Sequence, residues 1–327
     1  MELMDKNSSN NIQQTSAALE GFAGKVAVLM GGNASERDVS LESGNAVLSS
    51  LKKMGVDVVE IDTAVDVVAA LQAVKPDFAF IALHGKGGED GTMQGLLEKL
   101  AIPYSGSDVL GSALAMDKVR SKNVWRGLSL PTPAYQLLDS NSDFEAVLAE
   151  LNGAAFVKPI DEGSSIGMSL ATDAAGLEAA YNKAAEYGVT IFAEQFVDGP
   201  EYTVTILDGL ELPSIRIATD RKFYDYAAKY EVDDTQFFIP SGLSKQEELE
   251  LQEIAQQAFY SLGCQHWGRV DFMRDKNTQQ FYLLEANTVP GLTSHSLVPM
   301  AAAAVGMDFN ALIAKIIQLS IKESAKA

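Results

Sequence analysis

Apolar, β-branched runs alternate with helical patterns over roughly the first hundred residues, and two of the apolar runs end in glycine. Lys25–Gly32 (KVAVLMGG) and Asp77–Gly85 (DFAFIALHG) are predicted strands, and Glu36–Met54 is a predicted helix between them. This alternation predicts βαβ units on a parallel sheet, whose ligands bind beyond the carboxyl ends of the strands. The fold class is therefore α/β, with the site edge at Gly32 and His84.

Composition excludes several classes of partner. The chain has 327 residues, 21% of them charged, and a formal net charge of -19. This acidity argues against nucleic acid or an anionic membrane surface, although local lysines could still bind a small anion. The single cysteine, Cys264, rules out an intramolecular disulfide and fits a reducing cytoplasm. No apolar run reaches about 18 residues, so no transmembrane helix is expected.

The remaining chain predicts two further units and a tail. Residues 1–22 are polar, lack the pattern of a signal peptide and are expected to be disordered. A helical stretch at Ser107–Leu130 leads into a small α+β unit, and a third region begins near Ile206. That region contains a β-hairpin at Gly268–Asn287 and a polar, aromatic loop at Phe223–Ile239. Loops of such length are usually functional or disordered, and the aromatic content favours a lid over a site.

The hairpin is the strongest local signal for chemistry. Glu285 and Asn287 lie two residues apart on its second strand, so both side chains point to one face. Carboxylate and amide oxygens suit Mg²⁺, which usually also binds substrate phosphates. Asp271 joins them only if the loop near Lys276–Thr278 holds an odd number of residues. The alternative interpretation is an exposed edge with scattered acids.

Lys118 and Lys158 are candidate phosphate ligands, because Lys158 ends an apolar strand just before a glycine-serine loop. Either lysine alone could equally be a solvated surface cation. Neither a P-loop nor a G-x-G-x-x-G fingerprint is present. The loop also fits G-x-S-x-G around Ser165, but that motif needs a helix after the serine, and the following residues predict a strand. A serine hydrolase is kept as a distant alternative.

Eight motifs taken in order resemble the D-alanine–D-alanine ligases of the ATP-grasp superfamily, from Lys25 to about Leu319. They are GGNASERDVSLESG, ALHGKGGEDGTMQG, AMDKVRSK, VKPIDEGSSIGMS, PSIRI, FYDYAAKY, WGRVDFM and LLEANTVPGLTSHSLVPM. The resemblance implies an N-terminal Rossmann-like domain at 23–117, a central ATP-grasp domain at 118–205 and a C-terminal catalytic domain at 206–327. ATP would be clamped between the last two domains.

The resemblance also implies an activity. ATP and two D-alanine molecules would give D-alanyl-D-alanine, ADP and phosphate through an acylphosphate, for peptidoglycan synthesis. Two Mg²⁺ (or Mn²⁺) ions would assist, and the enzyme would be a cytoplasmic homodimer. A free carboxylate is a poor electrophile, so phosphorylation supplies a leaving group, and water must be excluded from the acylphosphate.

The nucleotide contacts are implied motif by motif. Lys118 and Lys158 match the family's phosphate ligands, Glu194 and Val197 fall in the hinge that holds adenine, and Glu201 matches the ribose contact.

The implied phosphoryl-transfer residues follow. Asp271, Glu285 and Asn287 match the ligands of the two metal ions, which would offset the charge of ATP. Lys229 matches a loop lysine that reaches the γ-phosphate, and Arg269 matches the cation that stabilises the tetrahedral oxyanion.

The implied substrate contacts complete the set. Glu36 matches the acid that binds the ammonium of the first D-alanine, and Ser164 and Tyr230 would form with it a hydrogen-bonded trio that holds the lid shut. Three positions remain: His84 near the first D-alanine, Gly291 as a backbone donor to the intermediate, and Ser296 with Leu297 at the carboxylate of the second D-alanine.

Some positions bear on specificity. Family members that make D-alanyl-D-lactate generally carry phenylalanine where this chain has Tyr230, so the tyrosine favours an amine acceptor. A D-lactate ligase and a non-catalytic protein of the same fold stay as alternatives. The chain departs from the family at Ala227, often a glutamate, and at Phe196, tryptophan in some members. Neither departure touches a residue that the chemistry needs.

Overall fold

The structure is a computed structural model that describes residues 24–163, 166–219 and 235–324. The predicted tail, Ser164, Ser165, Lys229 and Tyr230 therefore lie outside the described residues, as does most of the predicted lid.

The first unit is a parallel sheet with helices, as the sequence predicts. Its three strands have the order β2-β1-β3, and both pairings are parallel. The core positions of β1 and β3 are almost completely buried, which explains their continuous apolar runs. The elements are β1 (Lys25–Met30), α1 (Arg37–Lys53), β2 (Asp57–Asp62), α2 (Val67–Val74), β3 (Phe78–Ile81) and α3 (Thr92–Lys99).

Two helices, rather than the one predicted stretch, connect this unit to the next. They are α4 (Val109–Met116) and α5 (Lys118–Gly127). Asp117 between them has extended backbone angles and accepts a hydrogen bond from the Arg120 amide, so it caps α5. The cap restarts the helix in a new direction and fixes Lys118 at its first turn.

The central unit is a four-stranded antiparallel sheet of order β4-β7-β5-β6, covered by two helices that give it a core of its own. Its elements are β4 (Tyr135–Leu138), α6 (Phe144–Glu150), β5 (Ala155–Pro159), β6 (Ser169–Ala171), α7 (Ala174–Ala184) and β7 (Ile191–Gln195).

The third unit is a five-stranded antiparallel sheet of order β10-β9-β8-β11-β12, followed by two helices. Its elements are β8 (Glu201–Leu207), β9 (Ile215–Thr219), β10 (Thr235–Phe238), α8 (Lys245–Ser261), β11 (Trp267–Arg274), β12 (Phe281–Asn287), α9 (Leu297–Ala304) and α10 (Phe309–Ser324). Strand β8 crosses the boundary expected between residues 205 and 206. Because β8 pairs with β9 and β11 of this sheet, we propose that this unit starts at Glu201.

The first and third units share one hydrophobic core. Buried side chains of β1 and β3 belong to the same cluster as Trp267 and the apolar faces of α9 and α10. A second cluster packs α8 and part of α5 against β8, β11 and β12. No single helix among the described ranges is long and apolar enough to cross a membrane. One bent helix pair, Leu297–Ala304 with Phe309–Ile321, has the length and composition of a membrane span when the two helices are taken together.

The close packing of β11 on α8 generates a stability prediction. A Cβ at Gly268 would overlap the buried ring of Phe259 and lie 2.7 Å from the Asn287 carbonyl oxygen. We expect Gly268→Ala to lower the free energy of unfolding by about 1–3 kcal/mol, because neither neighbour can move freely. Gly127→Ala is the matched control, since its Cβ would meet nothing within 4 Å. Equal denaturant midpoints for the two variants would contradict the packing argument.

Candidate active site

A bulge in the β11–β12 hairpin places four polar side chains on one face. Residues 275–280 separate the paired Arg274 and Phe281, and this even number would set Asp271 opposite Leu284. The register shifts between Asp271 and Phe272, so Asp271 instead lies opposite Glu285 and Arg269 opposite Asn287. Directly opposed residues point to the same face of a sheet. The bulge therefore achieves what the loop length alone would not.

Asp271 is the centre of this face and is 4% exposed. Arg269 donates two hydrogen bonds of 2.8 Å to its carboxylate, one to each oxygen. Thr203 Oγ1 donates at 2.7 Å to Oδ1, and Asn287 Nδ2 donates at 3.0 Å to Oδ2. Such bidentate pairing fixes the orientation of the guanidinium.

Lys118 brings a cation to the same face from the start of α5. Its Nζ lies 3.3 Å from Glu285 Oε2 and donates at 2.8 Å to the Glu162 carbonyl oxygen. Burial alone would lower the pKa of Lys118, but the nearby carboxylates of Glu285, Glu36 and Glu89 raise it. The lysine therefore stays charged where the hairpin meets the loop after β5.

Lys158 and Glu194 lie on neighbouring strands of the central sheet. Lys158 Nζ donates at 2.6 Å to Glu194 Oε2, and a second lysine, Lys122, forms an ion pair with Oε1. Burial alone would raise the pKa of Glu194, but the charges of Lys122 and Lys158 lower it. Lys122 carries no role in the sequence prediction. The available signal was its spacing of four residues from Lys118, which places both on one helix face.

Val197 and Glu201 follow β7. Val197 is buried in the segment after the strand, and Glu201 begins β8 opposite Met273 and Ile217. Both therefore lie at the junction of the central and third units. Phe196, one of the two departures from the family, packs edge-on against Phe156 with ring centroids 5.6 Å apart.

Glu36 connects the first unit to the loop after β5. Its carboxylate lies close to Gly163, and a Cβ there would be 2.7 Å from Oε2, so a larger residue at 163 would displace the Glu36 carboxylate. Glu89 is near, and its Oε2 accepts a 2.7 Å hydrogen bond from the Gly85 amide. Burial and then the charge of Glu36 raise the pKa of Glu89 to about 8. The sequence prediction did not include this acid, although it lies in the glycine-rich loop after β3.

His84 is buried at the end of β3 and touches the third unit through Ser43. The Ser43 hydroxyl lies 3.4 Å from His84 Nε2 and accepts a 3.1 Å hydrogen bond from the Leu292 amide. Burial, with a smaller contribution from Arg269, lowers the pKa of His84 to about 4. The imidazole is therefore neutral at pH 7, and Ser43 fixes the loop after β12 against α1.

Gly291, Ser296 and Leu297 lie in and after that loop. Ser296 Oγ is adjacent to Gly291 and accepts a 3.0 Å hydrogen bond from the Thr293 amide. Leu297 begins α9 and is buried. Leu292, in the same loop, bonds to Ser43, which contacts His84, so the loop that carries Gly291 lies next to His84.

Asp271, Glu285 and Asn287 fit a hard divalent cation by their chemistry, since they offer two carboxylates and one amide oxygen. Within residues 24–163, 166–219 and 235–324, no three His, Cys, Asp or Glu side chains form a metal cluster.

Ser165 lies outside the described residues, but its surroundings can be compared with a nucleophile elbow. Residues 166–167 form a turn that leads into the short strand β6, whereas the elbow requires a helix at this point. The structure around it therefore disfavours a serine hydrolase.

The buried His84 generates a prediction of pH dependence. An unfolded histidine gains a proton near pH 6.5, whereas folded His84 stays neutral down to about pH 4. The unfolded state therefore binds more protons in this window, and stability must fall as the pH drops through it. We expect His84→Gln to show a smaller fall in unfolding free energy between pH 6.5 and pH 4. His295→Gln, at an exposed position, should retain the wild-type fall; a parallel profile for His84→Gln would contradict the assignment.

Comparisons with known proteins agree with this geometry. A family model described as D-ala D-ala ligase C-terminus matches residues 124–318, and one described as D-ala D-ala ligase N-terminus matches residues 65–107. The D-alanine–D-alanine ligase of Saccharophagus degradans is 54% identical over 294 residues, which cover 90% of this chain and 93% of that protein.

Solved structures give the same result. The D-alanine–D-alanine ligase of Bacillus anthracis matches with a TM-score of 0.83 and 35% identity, over 93% of this chain and 99% of that one. Its complex with ATP matches with a TM-score of 0.81 and 32% identity, over the same shares. The α/β fold predicted from the sequence is confirmed as that of the ATP-grasp ligases. The chain belongs to the D-alanine–D-alanine ligase family.

Proposed function

We propose that this protein joins two D-alanine molecules at the expense of ATP, giving D-alanyl-D-alanine, ADP and phosphate for peptidoglycan synthesis. One observation carries the proposal. Lys118, the proposed phosphate-binding lysine, contacts Glu285 on the same hairpin face that presents Asp271 and Asn287. Phosphoryl transfer needs cations and metal ligands at one place.

The nucleotide would lie between the central and third units. Lys118 and Lys158 would bind its phosphates, Glu194 and Val197 its adenine, and Glu201 its ribose. The position of these residues along one junction supports the assignment. Lys229, outside the described residues, would reach the γ-phosphate from the lid.

Two Mg²⁺ or Mn²⁺ ions, held by Asp271, Glu285 and Asn287, would supply charge stabilisation to the phosphates. The hairpin face supports this role because all three side chains point the same way. Their hydrogen bonds preorganise the face before any ligand arrives, which lowers the cost of assembling the site.

The peptide-forming step follows from the substrate contacts. Glu36 would bind the ammonium of the first D-alanine, whose carboxylate attacks the γ-phosphorus of ATP; the bond to the bridging oxygen breaks, ADP leaves and an acylphosphate forms. The amine of the second D-alanine then attacks the acyl carbon, and phosphate leaves. Arg269 and the Gly291 amide would stabilise the oxyanion, and the rigid Arg269–Asp271 pair supports this role.

Other groups would position the second substrate and exclude water. Ser296 and Leu297 would hold the carboxylate of the second D-alanine, and neutral His84 would line the first subsite without adding charge. Ser164 and Tyr230 would join Glu36 to close the lid. Water exclusion protects the acylphosphate from hydrolysis. A cytoplasmic homodimer, the state expected from the resemblance, belongs to this proposal.

A direct assay tests the function. Full-length protein with Mg-ATP should release phosphate only when D-alanine is present. We expect Glu285→Ala to lower kcat by about a hundredfold or more, because metal-based stabilisation is worth several kcal/mol and each ~1.4 kcal/mol is tenfold. Glu253→Ala, an exposed acid on α8, should behave as wild type. Phosphate release independent of D-alanine would exclude the ligase function.

Acceptor choice is tested at Tyr230. We expect Tyr230→Phe to raise the ratio of D-alanyl-D-lactate to D-alanyl-D-alanine when both acceptors compete, because the phenylalanine loses the hydroxyl that closes the amine-selective lid. Product analysis by mass spectrometry measures this ratio. An unchanged ratio would remove Tyr230 as a determinant of the acceptor and leave the D-lactate alternative open.

A further inference from the structure

Helix α5 presents two lysines, one turn apart, that each bridge the central and third units. Lys118 contacts the Glu162 carbonyl on the central side and Glu285 on β12. Lys122 contacts Glu194 on the central sheet and the Leu283 carbonyl, also on β12. The spacing of four residues puts both side chains on one helix face. The helix therefore sets the separation of the two sheets between which ATP would bind.

The ammonium of Lys122 is fully buried and is held by contacts with protein groups. Its side chain has 0% exposure. It forms the ion pair with Glu194 Oε1, donates at 3.0 Å to Thr132 Oγ1 and donates at 3.3 Å to the Leu283 carbonyl oxygen. Two hydrogen bonds and one ion pair to protein groups therefore surround this ammonium. Lys122 thus cannot bind a ligand and acts only through its partners.

Glu194 is the partner through which this charge matters. It has two cations on its two oxygens, Lys122 on Oε1 and Lys158 on Oε2 at 2.6 Å. Only Lys158 has a partly exposed side chain, at 15%. If Lys122 were absent, Lys158 would be the one cation of this pair left to compensate the buried Glu194 carboxylate. Glu194 would then bind the Lys158 ammonium more strongly.

We propose that Lys122 is a positioning residue for the nucleotide. By sharing the compensation of Glu194 from the buried side, it leaves Lys158, which bonds Glu194 Oε2, able to bind the ATP phosphates as well, and it orients the Glu194 carboxylate toward the adenine. The inference rests on the proposed function for the identity of the ligand, but not on any step after nucleotide binding.

The experiment measures binding of AMP-PNP with Mg²⁺ to the full-length protein by calorimetry, without D-alanine. We expect Lys122→Met to weaken binding about tenfold or more, as small displacements of positioning groups do. In a Glu194→Gln background the same substitution should change affinity less than about twofold, because no buried carboxylate remains to capture Lys158. Lys183→Met, on the exposed face of α7, is the matched control and should bind as wild type.

Three outcomes would overturn the inference: unchanged affinity in Lys122→Met, an equal loss in both backgrounds, or an equal loss in the control. A purely structural role predicts lower thermal stability with no dependence on Glu194. If wild-type protein bound no AMP-PNP, the proposed function would fail together with this inference, whereas wild-type binding with an insensitive variant would overturn the inference alone.

A milder pair of variants covers the case in which Lys122→Met does not fold. Thr132→Val removes the hydroxyl that accepts from Lys122 and donates at 2.9 Å to the Leu283 carbonyl oxygen, while keeping the shape of the side chain. We expect AMP-PNP affinity to fall about threefold in Thr132→Val, which loses one hydrogen bond to a charged group. Thr132→Ser should stay near wild type. Equal affinities for the two variants would contradict the role of Lys122.

Discussion

One register shift in the β11–β12 hairpin determines the chemistry of this protein. The extra residue at Leu284 turns Glu285 and Asn287 to the face that already carries Arg269 and Asp271. Without it, the acids would point to opposite sides of the sheet, and no common site for metal and phosphate could form. The neighbouring strand β8 adds Thr203, whose hydroxyl donates to Asp271, so the position of β11 between β8 and β12 supports the same face.

Cationic side chains gather at the candidate site although the chain as a whole is acidic. The chain has a formal net charge of -19, yet Lys118, Lys122, Lys158 and Arg269 converge on the junction between units. Each of these cations contacts at least one carboxylate. Buried charges tolerate such enclosure only when paired and hydrogen bonded, and here the pairing also holds the groups in place for an anionic ligand. The acidity of the whole chain is therefore compatible with a locally cationic site for ATP.

Much of this could be predicted from the sequence, and the omissions have physical causes. Periodicity and glycine turns revealed the parallel sheet, because fully buried strands such as β1 are continuous apolar runs. The motif pattern located Asp271, Glu285 and Lys158. The break at Asp117 was missed because a capping aspartate inside a long helical pattern resembles any surface acid. The bulge at Leu284 depends on tertiary pairing, and the burial of Lys122 depends on three separate elements, so neither is visible in local sequence.

The shared core of the first and third units has a mechanical consequence. Side chains of β1 and β3 pack in one cluster with α9 and α10, and Ser43 ties α1 to the loop at Leu292, whereas the central sheet encloses a separate core. Separating the first unit from the third would expose a large apolar surface, whereas the contacts of the central sheet with α5 and β12 are mainly polar and include the buried Lys122–Glu194 ion pair. The first and third units are therefore one packed body, and the central sheet is joined to it through the polar contacts that α5 makes on both sides.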